Sequence, residues 1–463
     1  MGCCIKVFGL ISVLLAIVIG LLWHTLNEIP EIPDIKLEYW ASGSPKPDDK
    51  TIRPFKINFP ESALKDLEMR LNYTRAMTKP LDGIGFQYGF NTNYLNKILK
   101  FWKTEYKWKV REEFLNKFAH FKTKISGLDI HFMHVKPTNP QGKSVLPLLL
   151  LHGWPGSIRE FYELIPLLTT PKANNNFVFE VIAPSLPGYG FSDGAARPGL
   201  GPTQMGVIFN ELMGRLGHNK YYIQGGDWGS IIGRSMAILY PSKLLGYHSN
   251  MCFCNSFKAK FQALFSHFFP SLFVPEDRID DYRNEFSYIL LESGYLHLQA
   301  TKPDTLGVGL TDSPAGLAAY ILEKFSTWTN KEWRNLADGG LEKFDKAALL
   351  DNIMIYWLTG SITTSVRLYS ESFSRSNQAL KIDEIPSTVP TSCARFPNEL
   401  MYSPDVVLRS GFLNLVQVTD LKTGGHFAAL EVPDVLADDI WKFVEKLSNQ
   451  DMKKNQNEKK IEN

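Results

Sequence analysis

The sequence predicts an α/β fold: an open sheet covered by helices on both faces, with a mostly helical segment inserted between two of its strands. Three observations predict it. The runs at 145–151 and 180–183 are almost unbroken in apolar character, as strands buried on both faces are. Strand-like runs alternate with helical patterns, which is how parallel sheets are connected. From 252 to 387 that rhythm stops and aromatic-rich, mostly helical patterns take over, for example at 314–325, before strand patterns return at 388–393 and 413–418.

Each segment has its own physical signature. Residues 1–26 hold an apolar run, 7–23, with Lys6 before it and Asn27, Glu28 and Glu31 after. It is near the shortest length that spans a bilayer and lacks the small residues of a cleavage site, so it is expected to remain as a membrane anchor in contact with lipid through residues 5–23. Residues 27–50 are expected as a linker, with Pro, Ser and Gly concentrated at 41–49. Residues 51–140 form an N-terminal extension with helical faces at 60–71 and 93–108 and a pair of strands within 118–135. The core is expected in two parts, 141–251 and 388–450, with the helical lid at 252–387. The tail 451–463 is mainly Lys, Asn and Glu and is expected to be disordered.

Composition narrows the function. Of 463 residues, 44% are apolar, and the net charge is +2 with no basic stripe, which argues against nucleic acid as a partner. The cysteines, Cys3, Cys4, Cys252, Cys254 and Cys393, have neither metal-ligand nor disulfide spacing. Their scatter favours a reducing compartment, with Cys252 and Cys254 as packing residues.

The chemistry is concentrated in Gly225-Gly226-Asp227-Trp228-Gly229. A strand-like stretch, 220–224, leads into it and a helical stretch, 230–237, follows. Strand, sharp turn and helix around one reactive side chain is the nucleophile elbow of the α/β-hydrolase fold. Here the reactive position holds aspartate, not serine. A carboxylate is ionised near neutral pH and can displace at saturated carbon with no base to activate it. Opening of an epoxide or expulsion of a halide, then hydrolysis of the resulting ester, follows from that choice. Upstream, His152-Gly153-Trp154-Pro155 follows a strand, where this fold supplies one backbone N–H of an oxyanion hole. The backbone N–H groups of Trp154 and Trp228 are the expected donors. The base is expected at His426, in the glycine-flanked loop Gly424-Gly425-His426 after the last strand. Its orienting acid is expected after the penultimate strand: Glu399 comes first, and Asp405 and Asp420 are alternatives. Gly190-Phe191-Ser192-Asp193-Gly194 also matches a serine-nucleophile pattern, but prolines precede it and no helix follows, so it is read as a loop.

Long stretches of the chain resemble microsomal epoxide hydrolases, particularly those of the insect juvenile-hormone type. They include HGWPGS at 152–157, PSLPGYGFSD at 184–193, YYIQGGDWGS at 221–230, TKPDTLG at 301–307, AAYILEKFSTWTN at 318–330 and GGHFAALEVP at 424–433. The resemblance implies Asp227 as nucleophile, His426 as base and Glu399 as its acid. It also implies two lid tyrosines, Tyr295 and Tyr369, as donors to the epoxide oxygen; residue pattern alone leaves Tyr282, Tyr288, Tyr320 and Tyr356 equally eligible. It further implies a hydrophobic epoxide and water as substrates, no metal or organic cofactor, and an endoplasmic reticulum anchor with the catalytic domain toward the cytosol. Haloalkane dehalogenases resemble the chain at Asp227-Trp228 and are the rival enzyme; a non-catalytic binder of hydrophobic ligands is the rival from another class.

Overall fold

A computed structural model describes residues 17, 20 and 22–461, with side chains up to 450. Nine strands, β1 (Arg53–Phe55), β2 (His120–Ile125), β3 (Leu128–Val135), β4 (Ser144–Leu151), β5 (Phe177–Pro184), β6 (Tyr221–Gly225), β7 (Leu244–Ser249), β8 (Thr391–Arg395) and β9 (Leu415–Asp420), form one sheet in the order β1-β2-β3-β5-β4-β6-β7-β8-β9. From β5 to β9 neighbours are parallel; β1, β2 and β3 are antiparallel. Strand β5, between β3 and β4, is buried at every residue, which accounts for its unbroken apolar character.

The β2–β3 hairpin closes through Ser126 and Gly127, both at positive φ, the two-residue turn whose twist matches its strands. The Asp48 carboxylate accepts hydrogen bonds from the N–H groups of Ser126 (2.7 Å) and Gly127 (2.8 Å), and Trp40 is buried nearby. The expected linker is thus partly fastened to the sheet. The helical pattern at 93–108 divides into Thr92–Thr104 and Trp108–Leu115, and the break lets the Tyr106 hydroxyl reach Asp351 at 2.9 Å. Asp351 is fully buried and also accepts from Arg159 Nε (2.9 Å) and Arg111 Nε (2.8 Å). One carboxylate therefore joins extension, lid and the turn after β4.

The lid leaves the sheet after β7 and returns at β8 as a series of helices that includes Phe257–Phe268, Ile279–Glu292, Gly294–Thr301, Pro314–Thr327, Lys346–Thr359 and Ile362–Ser372. Three expectations need correction. Cys252 is disulfide-bonded to Cys393, 141 residues away. Sequence spacing hid the pair because β7 and β8 become neighbours only in the folded sheet, where Ser249 pairs with Cys393. The cysteine argument for a reducing compartment therefore falls; Cys254 alone is a free, partly buried thiol among the described residues, pushed up to about 11 by burial. The tail, expected to be disordered, continues the helix Pro433–Ile461, consistent with the good helix propensity of Lys, Gln and Glu. The anchor run lies almost wholly outside the described residues, and among those described no helix is long and apolar enough to cross a membrane.

Candidate active site

Every expected core residue of the site lies at the carboxyl end of a parallel strand, where open α/β sheets place their ligands. β4 leads into the 152–157 turn, β6 into Asp227, β8 toward Glu399 and β9 toward His426. Asp227 has φ 50° and ψ −129°, a conformation that costs a non-glycine residue about 1–3 kcal/mol. The start of helix Trp228–Leu239 holds it there: Ser230 donates to the Asp227 carbonyl through its N–H (2.9 Å) and its hydroxyl (2.7 Å). Gly225 and Gly229 permit the turn, because a Cβ on Gly225 would strike the Gly229 carbonyl and one on Gly229 the Leu151 carbonyl.

The Asp227 carboxylate is pinned on two sides. Oδ1 accepts from the Trp154 N–H at 2.8 Å, so one expected oxyanion donor already points at it. Oδ2 lies 3.2 Å from His426 Nε2, and His426 Nδ1 lies 2.6 Å from Glu399 Oε1. Glu399 is thereby separated from its alternatives: Asp405 and Asp420 both bind Arg395. Burial works against a charged imidazole at His426. The Glu399 charge, the hydrogen bonds to Asp227 and Glu399 and the Asp227 charge outweigh it, and hold the proton well above the ordinary histidine range. The His426 N–H donates to the Trp328 carbonyl (3.1 Å) and its ring meets Trp328 edge-on, so a lid residue fixes the loop. His152 is a structural histidine. It is neutral, lowered to about 4 by burial, and accepts from the Leu186 N–H at 3.2 Å.

Tyr295 and Tyr369 form the roof. The Tyr295 ring is parallel to Trp154 (8°, centroids 5.7 Å apart), and Tyr369 meets Trp228 edge-on at 4.7 Å. The two rings meet edge-on, with centroids 6.0 Å apart. Burial first, and then the Asp227 charge at Tyr295 and the Tyr295 and Asp227 charges at Tyr369, raise both phenols well above 10. Both phenols are therefore protonated near neutral pH. Of the four alternatives, Tyr282, Tyr288 and Tyr356 donate their hydroxyls to the carbonyls of Ala263, Thr327 and Gly156, and that of Tyr320 accepts from Gln299. Ser192 also proves structural, its hydroxyl donating to the Ser185 carbonyl at 2.7 Å.

Sequence reasoning missed two side chains beside Asp227. Glu160, in the turn Ile158–Phe161, and Gln224, in β6, line a small cavity together with Asp227 and His426. A signal for Glu160 existed in Gly156, which leaves its side free for a later side chain to fold back.

Comparison with known proteins agrees with this geometry. Residues 52–161 match the family described as "Epoxide hydrolase N terminus" and 147–384 match "alpha/beta hydrolase fold". "Juvenile hormone epoxide hydrolase 1" of Ctenocephalides felis is 51% identical over the whole of both chains. "Epoxide hydrolase 1" of Oryctolagus cuniculus is 46% identical, covering 94% of this chain and 98% of its own. The crystal structure of juvenile hormone epoxide hydrolase from Bombyx mori superposes with a TM-score of 0.87 at 48% identity, covering 90% of this chain and 99% of the other. The chain belongs to the epoxide hydrolase family.

Proposed function

We propose that the enzyme opens a hydrophobic epoxide in two covalent steps. Asp227 Oδ2 attacks a ring carbon while Tyr295 and Tyr369 donate hydrogen bonds to the ring oxygen. The C–O bond breaks, the alkoxide takes a proton from a phenol, and a hydroxyalkyl ester of Asp227 remains. Alkylation removes the Asp227 charge, one of the influences that keep His426 protonated; the imidazolium then gives its proton, through solvent, to the phenolate, which restores the tyrosine and leaves His426 neutral as a base. His426 Nε2, oriented by Glu399, takes a proton from water as the water oxygen bonds to the Asp227 carboxyl carbon. The resulting oxyanion on Oδ1 faces the N–H groups of Trp154 and Trp228; one such donor is typically worth about 3 kcal/mol. Collapse releases the diol, carrying the former Oδ2 and the proton from His426, and the carboxyl left at Asp227 passes its own proton to His426, which restores the starting pair. The chain's own side chains supply every acid and base, and the nucleophile of the first step; water is the nucleophile of the second.

The single observation that carries this reading is a carboxylate held by the Trp154 N–H on one side and a His–Glu pair on the other, with Tyr295 and Tyr369 packed on the two tryptophans that flank it. His426→Gln tests it. After mixing with an epoxide, the intact protein should gain the mass of one substrate and keep it. A folded variant of unchanged mass contradicts the scheme.

The aromatic roof of Trp154, Trp328, Tyr295 and Tyr369 suits a large apolar substrate. The flea and silkworm relatives are named for juvenile hormone, and a terpenoid epoxide of that kind fits such walls. Turnover of juvenile hormone set beside styrene oxide tests the preference, and faster conversion of styrene oxide would contradict it. One observation favours a second reading. The indole N–H of Trp154 is buried without a hydrogen-bond partner, as a halide-holding donor of a dehalogenase would be. Chloride release from a chloroalkane, measured beside diol formation, separates the two.

Membrane attachment through residues 5–23, at the endoplasmic reticulum, belongs to the same proposal. Trp23 is exposed, and Asn27 accepts from Lys258 Nζ at 3.2 Å, which sets the start of the described chain beside helix Phe257–Phe268. That helix exposes Phe261, Leu264, Phe265 and Phe268 to its surroundings, an apolar surface of the kind that rests on lipid. Flotation with phosphatidylcholine vesicles checks it; protein that stays with the soluble fraction speaks against it.

A further inference from the structure

A cavity of about 20 Å³ adjoins Asp227 and His426 on the side of the β4 turn. A water needs about 10–15 Å³ measured this way and two to four polar partners, so the space takes one water and excludes an epoxide. Its walls include Glu160, Gln224 and Asn250 besides the reacting pair. Gln224 is 1% exposed, and its Nε2 donates to Asn250 Oδ1 at 2.7 Å. Its Oε1 is buried with no partner, an acceptor left unmatched beside the cavity. Glu160 folds back so that its Oε1 occupies the place a Cβ on Gly156 would take. Neighbouring Arg159 is bonded to buried Asp351, which anchors that turn.

We propose that this cavity seats the hydrolytic water, and that Glu160 and Gln224 hold it between His426 Nε2 and the Asp227 carboxyl carbon. The inference rests on the two-step reading and deepens it. Gln224 Oε1 accepts a hydrogen bond from one water O–H, which the water keeps, and His426 Nε2 takes the other proton, which leaves an oxygen lone pair free to bond to the ester carbon. Glu160 supports the water oxygen as a neutral carboxyl. Burial, opposed by the His426 charge and helped by the Asp227 charge, pushes it up to about 8. Neutrality matters mechanistically. A second carboxylate here would pin the proton on His426 and repel the oxyanion on Asp227. Glu431 is close in character, pushed up to about 7 by burial, but its carboxylate is taken by the Phe427 N–H at 3.0 Å.

Single-turnover quenched flow with styrene oxide, followed by intact-protein mass, resolves ester formation from ester hydrolysis. Glu160→Ala should slow hydrolysis by at least about tenfold, as a misplaced reactant does, and leave ester formation within about twofold. The accumulating ester should lower kcat and KM together. Glu160→Gln, neutral and of the same shape, should recover most of the hydrolysis rate. Gly156→Ala, which displaces the Glu160 carboxyl without deleting it, should behave like Glu160→Ala. Equal slowing of both steps, or no slowing of hydrolysis in either alanine variant, would overturn the proposal. A wild-type enzyme that never carries the ester would overturn the two-step reading and this inference with it.

Discussion

Replacing both roof tyrosines by phenylalanine separates chemistry from packing. The rings stay: Tyr295 against Trp154 and Tyr369 against Trp228 make their contacts through carbon. What is lost is two hydroxyls, both protonated because burial lifts them well above the working pH range. In the proposed reaction each donates one hydrogen bond to an oxygen that becomes an alkoxide only as the ring opens. A hydrogen bond to a charged partner contributes about 1.5–3 kcal/mol. At about 1.4 kcal/mol per decade, one hydroxyl changes the rate of ester formation about tenfold to 150-fold. Loss of both should reduce it by about a hundredfold or more. Hydrolysis of an ester already formed should be nearly unaffected, since its oxyanion develops on Oδ1, which Trp154 holds at 2.8 Å. Quenched-flow mass measurement reads the two rates separately. Equal slowing of both steps, or a loss below about threefold in ester formation, would refute the assignment of the phenols to the leaving oxygen.

Two further outcomes follow from buried charge. The folded pKa of His426 is raised, so the stability contributed by its pairing with Glu399 is complete below the unfolded value near 6.5 and is lost as pH rises through the folded value. The stability gap between wild type and Glu399→Gln should therefore narrow on going to alkaline pH, as followed by urea unfolding; a gap independent of pH would contradict it. Asp351→Ala leaves Arg111 and Arg159 without their buried partner and should cost about 3–5 kcal/mol. A loss under about 1 kcal/mol in the same assay would show that the junction of extension, lid and turn is held by other contacts.

Legibility followed distance along the chain. The elbow at Asp227, the turn before Trp154 and the loop at His426 could be read because glycines, strand pattern and reactive residue lie within a few positions of one another. Glu399 needed the fold to be chosen firmly, since only three-dimensional placement commits Asp405 and Asp420 to Arg395. Tyr295 and Tyr369 came from family likeness alone, because what sets them apart from Tyr282, Tyr288, Tyr320 and Tyr356 is where each hydroxyl goes. The Cys252–Cys393 bond was hidden by the 141 residues that separate its ends. Glu160 was hidden differently. Its importance arises from a side chain doubling back over Gly156, which no periodicity records.

Oxygen tracing tests the central claim most directly. A single turnover in water enriched in heavy oxygen, with enzyme in excess over epoxide, should yield a diol without label. The label should appear in the peptide containing Asp227, because the diol takes its new oxygen from the carboxylate and water replaces it there. Label in the diol from that first turnover, with an unlabelled Asp227 peptide, would mean that water adds to the epoxide directly and that Asp227 forms no ester.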